Sequence, residues 1–288
     1  MLKKILIGSF CILFVLFGMI IYQRYIFFDG KLHVVFCDVG QGDGVLLRTP
    51  SGINFIIDGG PDKKIIDCLH RHLPFWERNI SEVFLSHPHE DHFIGLIDVL
   101  QQFNVSSFST EQLDNPIPSF FFFKEVLARM NLKPRYITAG DKFTTSDGVG
   151  IEIISPSRDL LNKTSPNGKI GESREFGSLV FRISYGSIKF MITGDSQANP
   201  LNDALSKYYD KVSVLQVPHH GSRFGLDERL IARLNPRIAI ISVGKNSYGH
   251  PSSEILNLLT KKHILILRTD TLGDIDLITN GRSIEAIY

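Results

Sequence analysis

The chain opens with one unbroken apolar run and then changes to short alternating patterns. Residues 5–22 carry no charge and are almost wholly apolar. As a helix, such an eighteen-residue run rises ~27 Å, close to the ~30 Å hydrocarbon core of a bilayer. Lys3 and Lys4 precede it, and Tyr22, Tyr25, Phe27 and Phe28 follow it, where aromatic side chains suit a membrane–water interface. With only Arg24 closely after the run, the charge bias predicts a cytoplasmic N-terminus and a remainder outside. A cleaved signal peptide shares the basic start and the apolar stretch. Small residues of the A-x-A kind are missing before Asp29 and no lipobox surrounds Cys11, so the reading favours an uncleaved anchor over residues 1–28. Secretion after cleavage is the alternative.

From residue 29 to 288 the periods are those of short strands and helices. Runs at 32–37, 45–48 and 54–57, joined by Gly40-Gln41-Gly42-Asp43-Gly44 and Pro50-Ser51-Gly52, predict a hairpin or meander. Ile65, Ile66, Leu69 and Leu73 mark a helix, 83–85 a strand, and 93–103 and 120–130 two further helices. In the second half, 179–184 and 188–193 flank the turn Tyr185-Gly186-Ser187, followed by a helix at 201–209 and a strand at 212–217. Asp227 can cap a helix carrying Leu230, Ile231 and Leu234 that Pro236 ends. A strand at 238–243, a helix at 252–260 and strands at 264–267 and 275–279 complete the series. Hairpins followed by strand–helix alternation, twice over, predict two mixed sheets facing each other with helices outside. No sequence repeat accompanies this, and no proline, glycine or charge run divides residues 29–288, which are enough for one large domain or two small ones. Residues 155–175 are polar and read as an exposed loop.

Composition adds mainly exclusions. Thirty-one basic residues against thirty acidic ones leave a formal charge of +1, so no general attraction to nucleic acid or anionic lipid follows. Cys11 lies in the apolar run. Cys37 and Cys68 could pair, but two cysteines in so long a chain make no disulfide framework and leave the redox compartment unset.

The chemistry is concentrated in Ser86-His87-Pro88-His89-Glu90-Asp91-His92, directly after a strand. Neutral imidazole suits Zn²⁺, Fe²⁺ and Mn²⁺, and carboxylate compensates charge. Pro88 holds His87 extended, so that His87 and His89 can point the same way. Asp91 and His92 lie past the bend and can face a second position. Ligands divided in this way suit two metals, which in dinuclear hydrolases stand roughly 3.5–4 Å apart. Other ligand-type groups recur at strand ends beside glycine: Asp58-Gly59-Gly60, Gly194-Asp195 and His219-His220-Gly221-Ser222.

With these segments the chain resembles the metallo-β-lactamase superfamily, in the branch similar to the extracytoplasmic hydrolase domain of ComEC-type competence (DNA-uptake) proteins. The marks are Asp38-Val39-Gly40-Gln41-Gly42-Asp43, Ile57-Asp58-Gly59-Gly60, the histidine run, Thr193-Gly194-Asp195, Pro218-His219-His220-Gly221-Ser222 and Tyr248-Gly249-His250-Pro251. The resemblance implies an α/β fold, an αββα sandwich, here preceded by one N-terminal transmembrane helix. It implies two divalent metal ions, Zn²⁺ first and Mn²⁺ as the alternative. His87 and His89 would hold the first metal, Asp91 and His92 the second, and Asp195 would bridge them. One histidine of the pair His219 and His220 would complete the second position, with His220 slightly favoured. Asp58 would support the ligands as a hydrogen-bond partner. Asp38 and Asp43 read as loop formers, with contact to the site the alternative.

One departure stands out. The superfamily generally supplies a further histidine before the bridging aspartate, and no histidine occurs from Phe93 to Gln197. Ser178, Glu175 or water would take that place, which favours an oxygen-richer site. His250 reads either as part of a loop leading into a helix or, with Asn246, as a contact to the leaving group or substrate phosphate. His33, His70, His72 and His263 lack such company. Phe120–Phe123 reads as core, or else as a membrane-facing or base-stacking lip.

Two cations would lower the pKa of a shared water, giving hydroxide at neutral pH to attack the substrate. In that scheme Asp91 and His250 are the catalytic candidates. Fold alone does not choose between phosphodiester, thioester and β-lactam. The branch implies a phosphodiesterase acting on DNA outside the cytoplasm. Alternatives are an envelope-polymer phosphodiesterase (teichoic acid or phosphorylcholine ester) and a non-catalytic, membrane-tethered binding module. A single run long enough to cross a membrane does not imply the multi-span channel of ComEC proteins. Nothing in the sequence identifies a protein partner.

Overall fold

Period-two alternation buries both faces of most strands, and each face meets a different neighbour. In Leu32–Phe36, Val34 and Phe36 enter one apolar cluster while Val35 enters another. The same division separates Val45 and Leu47 from Leu46, and Phe55 and Ile57 from Ile56. Strands apolar on both faces must be covered on both, and the computed structural model, which describes residues 2–170, 177–207 and 211–288, shows how.

One eight-stranded sheet runs, in spatial order, Ile284–Ile287, Ile275–Thr279, Leu32–Phe36, Gly44–Arg48, Asn54–Gly59, Glu82–Leu85, Phe108–Thr110 and Arg135–Tyr136. A seven-stranded sheet runs Leu265–Arg268, Ile238–Ile241, Val214–Gln216, Ile188–Ile192, Val180–Tyr185, Gly150–Ser155 and Lys142–Thr144. Phe36, Ile57, Phe84, Phe181, Phe190 and Ile240 belong to the cluster between the sheets. Helices Lys64–His72, Glu90–Gln102 and Pro118–Arg129 cover the outer face of the first sheet. Ala198–Ala204, Glu228–Leu234 and Ser253–Lys261 cover that of the second. The result is the α/β sandwich expected, with layers αββα.

Each sheet is antiparallel in one half and parallel in the other. Asn54–Gly59, Glu82–Leu85 and Phe108–Thr110 are parallel neighbours, as are Ile188–Ile192, Val214–Gln216, Ile238–Ile241 and Leu265–Arg268. The carboxyl ends of such strands are where open α/β sheets gather ligands. Asp58, His87, Asp195 and His219 all stand there.

Several sequence expectations need correction. Residues 155–175 are not simply loop: Ser157 caps a helix at Arg158–Thr164, its Oγ accepting from Leu160 N at 3.2 Å. Residues 171–176, including Glu175, and 208–210 lie outside the described residues. The helix expected at 201–209 runs Ala198–Ala204 and tightens into a 3₁₀ turn at Leu205–Lys207. The helix expected from residue 93 begins at Glu90, which puts Asp91 and His92 in its first turn. Within 120–123, Phe120 and Phe123 are core, whereas Phe121 and Phe122 are exposed. Gly150–Ser155 escaped the sequence reading although Ile151 and Ile153 alternate with Glu152; the latter pairs with Lys142 and Arg182 of the flanking strands.

Cys37 and Cys68 form a disulfide, with Cα atoms 5.8 Å apart, tying the end of the first strand to the Lys64–His72 helix. Among the described residues one helix is long and apolar enough to cross a membrane: Ser9–Phe27 within Leu2–Phe27, 19 residues of mean hydropathy 1.9, none buried against the rest of the chain.

Candidate metal centre

The site is built from strand ends that turn under constraint. After Glu82–Leu85 the chain bends through 86–88 instead of staying extended, His89 N donating back to the His87 carbonyl at 3.0 Å across Pro88. Asn115 Nδ2 fastens the bend by donating to the Pro88 carbonyl at 2.7 Å. His89 is the N-cap residue of Glu90–Gln102, so the bend between His89 and Asp91 is the start of a helix. His87 Nε2 and His89 Nδ1 come within 3.0 Å, on one side of that bend. Asp91 and His92 project from the other.

Asp195 sits between them. His87 Nε2 is 3.8 Å from Oδ2 and His219 Nε2 is 3.6 Å from the same oxygen. His92 Nε2 and His220 Nε2 are each 3.4 Å from Oδ1. His220 Nε2 also lies 3.4 Å from Asp91 Oδ2. Donor atoms of Asp91, His92, Asp195 and His220 lie within 4.8 Å of one another, as do those of His87, His89 and Asp195. The pair His219 and His220 is therefore divided: His220 faces the Asp91–His92 side, and His219 faces the carboxylate oxygen nearest His87. Both residues hold left-handed backbone, φ 52° and 54°, followed by Gly221 at 83°.

The donor set fits a divalent cation. His92 Nε2, His220 Nε2 and Asp195 Oδ1 are buried, converge on one another, and have no hydrogen-bond partner. Leaving such atoms dry and unpaired costs about 1–3 kcal/mol each, which a shared cation would offset. Their opposite ends are fixed. His92 Nδ1 is 2.9 Å from Asp58 Oδ2, whose Oδ1 accepts from Ser86 N at 2.7 Å. His220 Nδ1 donates to the Ser242 carbonyl at 3.0 Å. Such partners leave Nε2 as the free-facing nitrogen.

Electrostatics agree. Burial drives His87 well below the ordinary histidine range, helped by His92 and His89, which keeps it neutral. Burial opposes charge on His92, but Asp195, Asp91 and Asp58 outweigh it and raise that ring well above its usual value. Against burial, Asp195 and Asp43 push His220 up to about 10. Asp195 is held well below the carboxylate range despite burial, by His220 first and then His92 and His219. Four carboxylates (Asp43, Asp58, Asp91 and Asp195) thus surround the imidazoles.

Asp43 is more than a loop former. It is buried, 3.6 Å from His220 Nδ1, and burial pushes it up to about 6. Asp38 keeps the loop role, accepting from Gly40 N at 3.2 Å. Of the candidates for the missing histidine's place, Ser178 lies beside the centre, its Oγ accepting from the Asp195 backbone N–H at 3.1 Å, and Glu175 lies outside the described residues. Asn246 is occupied inside its own loop: it donates to Gly244 O and His250 O and accepts from Tyr248 N and His250 N. It shapes the loop instead of offering a free amide to substrate. His250 stacks edge-on against His219, ring centroids 5.5 Å apart, and burial followed by His219 and His220 lowers its pKa. Sequence spacing gave no signal for the roles of Ser86 or Asn115, because these exist only through backbone and ring groups brought near by the fold.

The centre opens into a cleft of about 760 Å³ lined by Gly40, Gln41, Lys64, His89, Asp91, Asn115, Lys245, Asn246 and Tyr248. Tyr248 is 75% exposed there.

Comparison with known proteins agrees with this construction. Residues 37–245 match the family model of the Metallo-beta-lactamase superfamily. ComE operon protein 3 of Bacillus subtilis (strain 168) is 35% identical over 137 residues, covering 45% of this chain and 18% of the relative. Recombination protein 2 of Haemophilus influenzae is 24% identical over 83% of this chain and 28% of its own length. Competence protein ComA of Neisseria gonorrhoeae is 26% identical over 89% of this chain and 33% of its own. The chain thus spans a third or less of these relatives. Among solved structures, the metallo-beta-lactamase fold protein YhfI from Bacillus subtilis superposes with a TM-score of 0.57 at 12% identity, covering 85% of this chain and 99% of that one. CmlA, a diiron beta-hydroxylase from Streptomyces venezuelae, gives 0.56 at 12% identity, over 86% of this chain and 54% of its own. The chain belongs to the metallo-beta-lactamase superfamily, in its ComEC-like branch, with the fold and family of metal-dependent hydrolases.

Proposed function

We propose that the chain is a membrane-anchored phosphodiesterase that cleaves DNA outside the cytoplasm. The observation that carries this reading is a donor cluster divided about Asp195 and opening into a cleft that also holds Lys64, Lys245 and Tyr248. In this reading His87, His89 and His219 hold one divalent ion, Asp91, His92 and His220 the other, and Asp195 serves both. Bound there, the ions would lower the pKa of a water toward neutrality and supply positive charge against the charge developing on the phosphate. Zn²⁺ suits the imidazoles, and the carboxylate excess suits Mn²⁺ equally.

The chain's own groups do the rest. Asp58 and the Ser242 carbonyl orient His92 and His220. Lys64 and Lys245 attract the phosphate, and Tyr248 offers a face on which a base can stack. His250, edge-on to His219, is the candidate contact for the leaving group. A teichoic acid would meet the same lysines but leave Tyr248 nothing to stack on, whereas the trimethylammonium of a phosphorylcholine ester could sit on that ring, so Tyr248 argues against the first alternative only. The assembled donor set, complete without the family's missing histidine, supports turnover over a purely binding role.

Exposure of the whole Ser9–Phe27 helix supports an anchor, and the Cys37–Cys68 disulfide supports an oxidising compartment for the domain. The test is the purified full chain in detergent, loaded with Zn²⁺ or Mn²⁺ and given bis-p-nitrophenyl phosphate and single-stranded DNA. Cleavage of both, abolished by chelator and by Asp195→Asn, is expected. A folded, metal-loaded chain that hydrolyses a thioester or β-lactam but neither phosphodiester overturns the proposal.

A further inference from the structure

Phe75 and Trp76 occupy the loop after the Lys64–His72 helix, with 50% and 38% of their surface exposed. Their rings pack edge-on, centroids 4.9 Å apart. The polar groups around them are tied back: Glu77 accepts from Arg78 N and Asn79 N, and Arg78 lies over the Phe103 ring at 5.8 Å. The loop thus presents aromatic surface outward, beside a half-buried Glu77 and an exposed Arg78 of the kind that suits a lipid headgroup layer.

Its height relative to the apolar helix is fixed by contacts from two separate segments. The Phe75 N–H donates to Gln23 Oε1 at 3.2 Å. Arg48, on the strand Gly44–Arg48, donates from Nε to the Phe27 carbonyl at 3.2 Å and lies 4.8 Å over the Phe28 ring. Gln23 stands four residues before Phe27, ~6 Å along the helix axis, about the thickness of one polar layer of a bilayer. Tyr22 and Tyr25, 60% and 84% exposed, lie at the same level of the helix. Aromatic rings with polar tips or edges are stable at that depth.

Resting on the reading of Leu2–Phe27 as an uncleaved anchor, we infer that the 74–77 loop is a second membrane contact. Phe75 and Trp76 lie in the interfacial layer of the bilayer beside the helix, and the hydrolase domain rests on the lipid in one orientation instead of swinging on a tether. The occupant of the patch is lipid, because the patch is continuous with the apolar helix and held at its interfacial turn.

Trp76 is the only tryptophan in the chain, so its fluorescence reports this loop without any added probe. The full chain is reconstituted in phosphatidylcholine vesicles whose acyl chains carry bromine at either shallow or deep positions. Shallow bromines are expected to quench Trp76 at least two-fold and more than deep ones, and Phe75→Asp is expected to remove most of that quenching with the circular dichroism unchanged. A chain that floats with the vesicles while Trp76 stays unquenched overturns the second contact and leaves the anchor standing. A chain recovered without its N-terminal helix and free of vesicles overturns both.

Discussion

His219, His220 and Gly221 place three consecutive residues in left-handed backbone. For a residue with a Cβ that conformation costs roughly 1–2 kcal/mol. Glycine tolerates it, and the sequence keeps histidine at two of the three positions, where the turn aims one ring at each oxygen of Asp195. The strain therefore accompanies the division of the imidazoles between two positions. His219→Gly should make the metal-free protein more stable than His219→Ala by about 1 kcal/mol in urea unfolding, because only the alanine retains the Cβ penalty. Equal stabilities would mean the turn relaxes freely. At this scale the sequence was most legible where ligand-type residues crowd together, as in His87–His92. It was least legible where one residue serves another from far along the chain. Asp43 looked like a turn residue because nothing local reveals that His220 lies 3.6 Å away. Asn246 looked like a substrate contact because its four loop hydrogen bonds depend on how residues 244–250 fold back.

Among the elements, the Glu90–Gln102 helix decides how the histidine run is presented. It approaches the end of Asn54–Gly59 so closely that a Cβ at Gly95 would collide with the Gly59 and Asp62 carbonyl oxygens. Period alone reads Gly95 as a small helix penalty; its purpose is visible only once the strand is packed beneath. Gly95→Ala is expected to lower unfolding free energy by about 1–3 kcal/mol, typical of overpacking, and to reduce bound metal, since Asp91 and His92 ride on the displaced turn. Retention of full stability and metal content would show that the contact gives way cheaply.

A second element-level expectation concerns His33 on Leu32–Phe36, whose ring meets Asp276 at 2.9 Å and Asp29 at 3.1 Å. Burial opposes its charge, but the hydrogen bond and charge of Asp276, joined by Asp29, raise its pKa above the ordinary 6.5. A raised folded value stabilises fully below 6.5 and is lost as pH climbs through the folded pKa. His33→Gln should accordingly flatten the decline of unfolding free energy with rising pH across that window. An unchanged slope would remove His33 from the linkage.

Across the whole molecule, two sheets with both faces apolar were readable from strand periodicity, and the half-antiparallel, half-parallel plan from hairpins followed by strand–helix alternation. Short edge strands such as Arg135–Tyr136 and Lys142–Thr144 were not, because they are too brief and polar to show a period. That Cys37 and Cys68 could pair was readable; that they do depends on the Lys64–His72 helix lying across the first strand. Closing a loop over a separation of 31 residues contributes roughly 3–4 kcal/mol in the chain-entropy account. Cys68→Ser should therefore cost about that much in denaturant unfolding, and thiol titration of the unfolded native chain should find Cys11 alone.

Anomalous X-ray diffraction from Mn²⁺-loaded crystals of the full chain, recorded on both sides of the manganese edge, locates the ions without reliance on activity. Two peaks are expected, one beside His87, His89 and His219 and one beside Asp91, His92 and His220, with the Asp195 carboxylate between them. Manganese found only elsewhere on the chain, or a single peak with His219 turned away from it, would contradict the two-position centre on which the proposed phosphodiester chemistry depends.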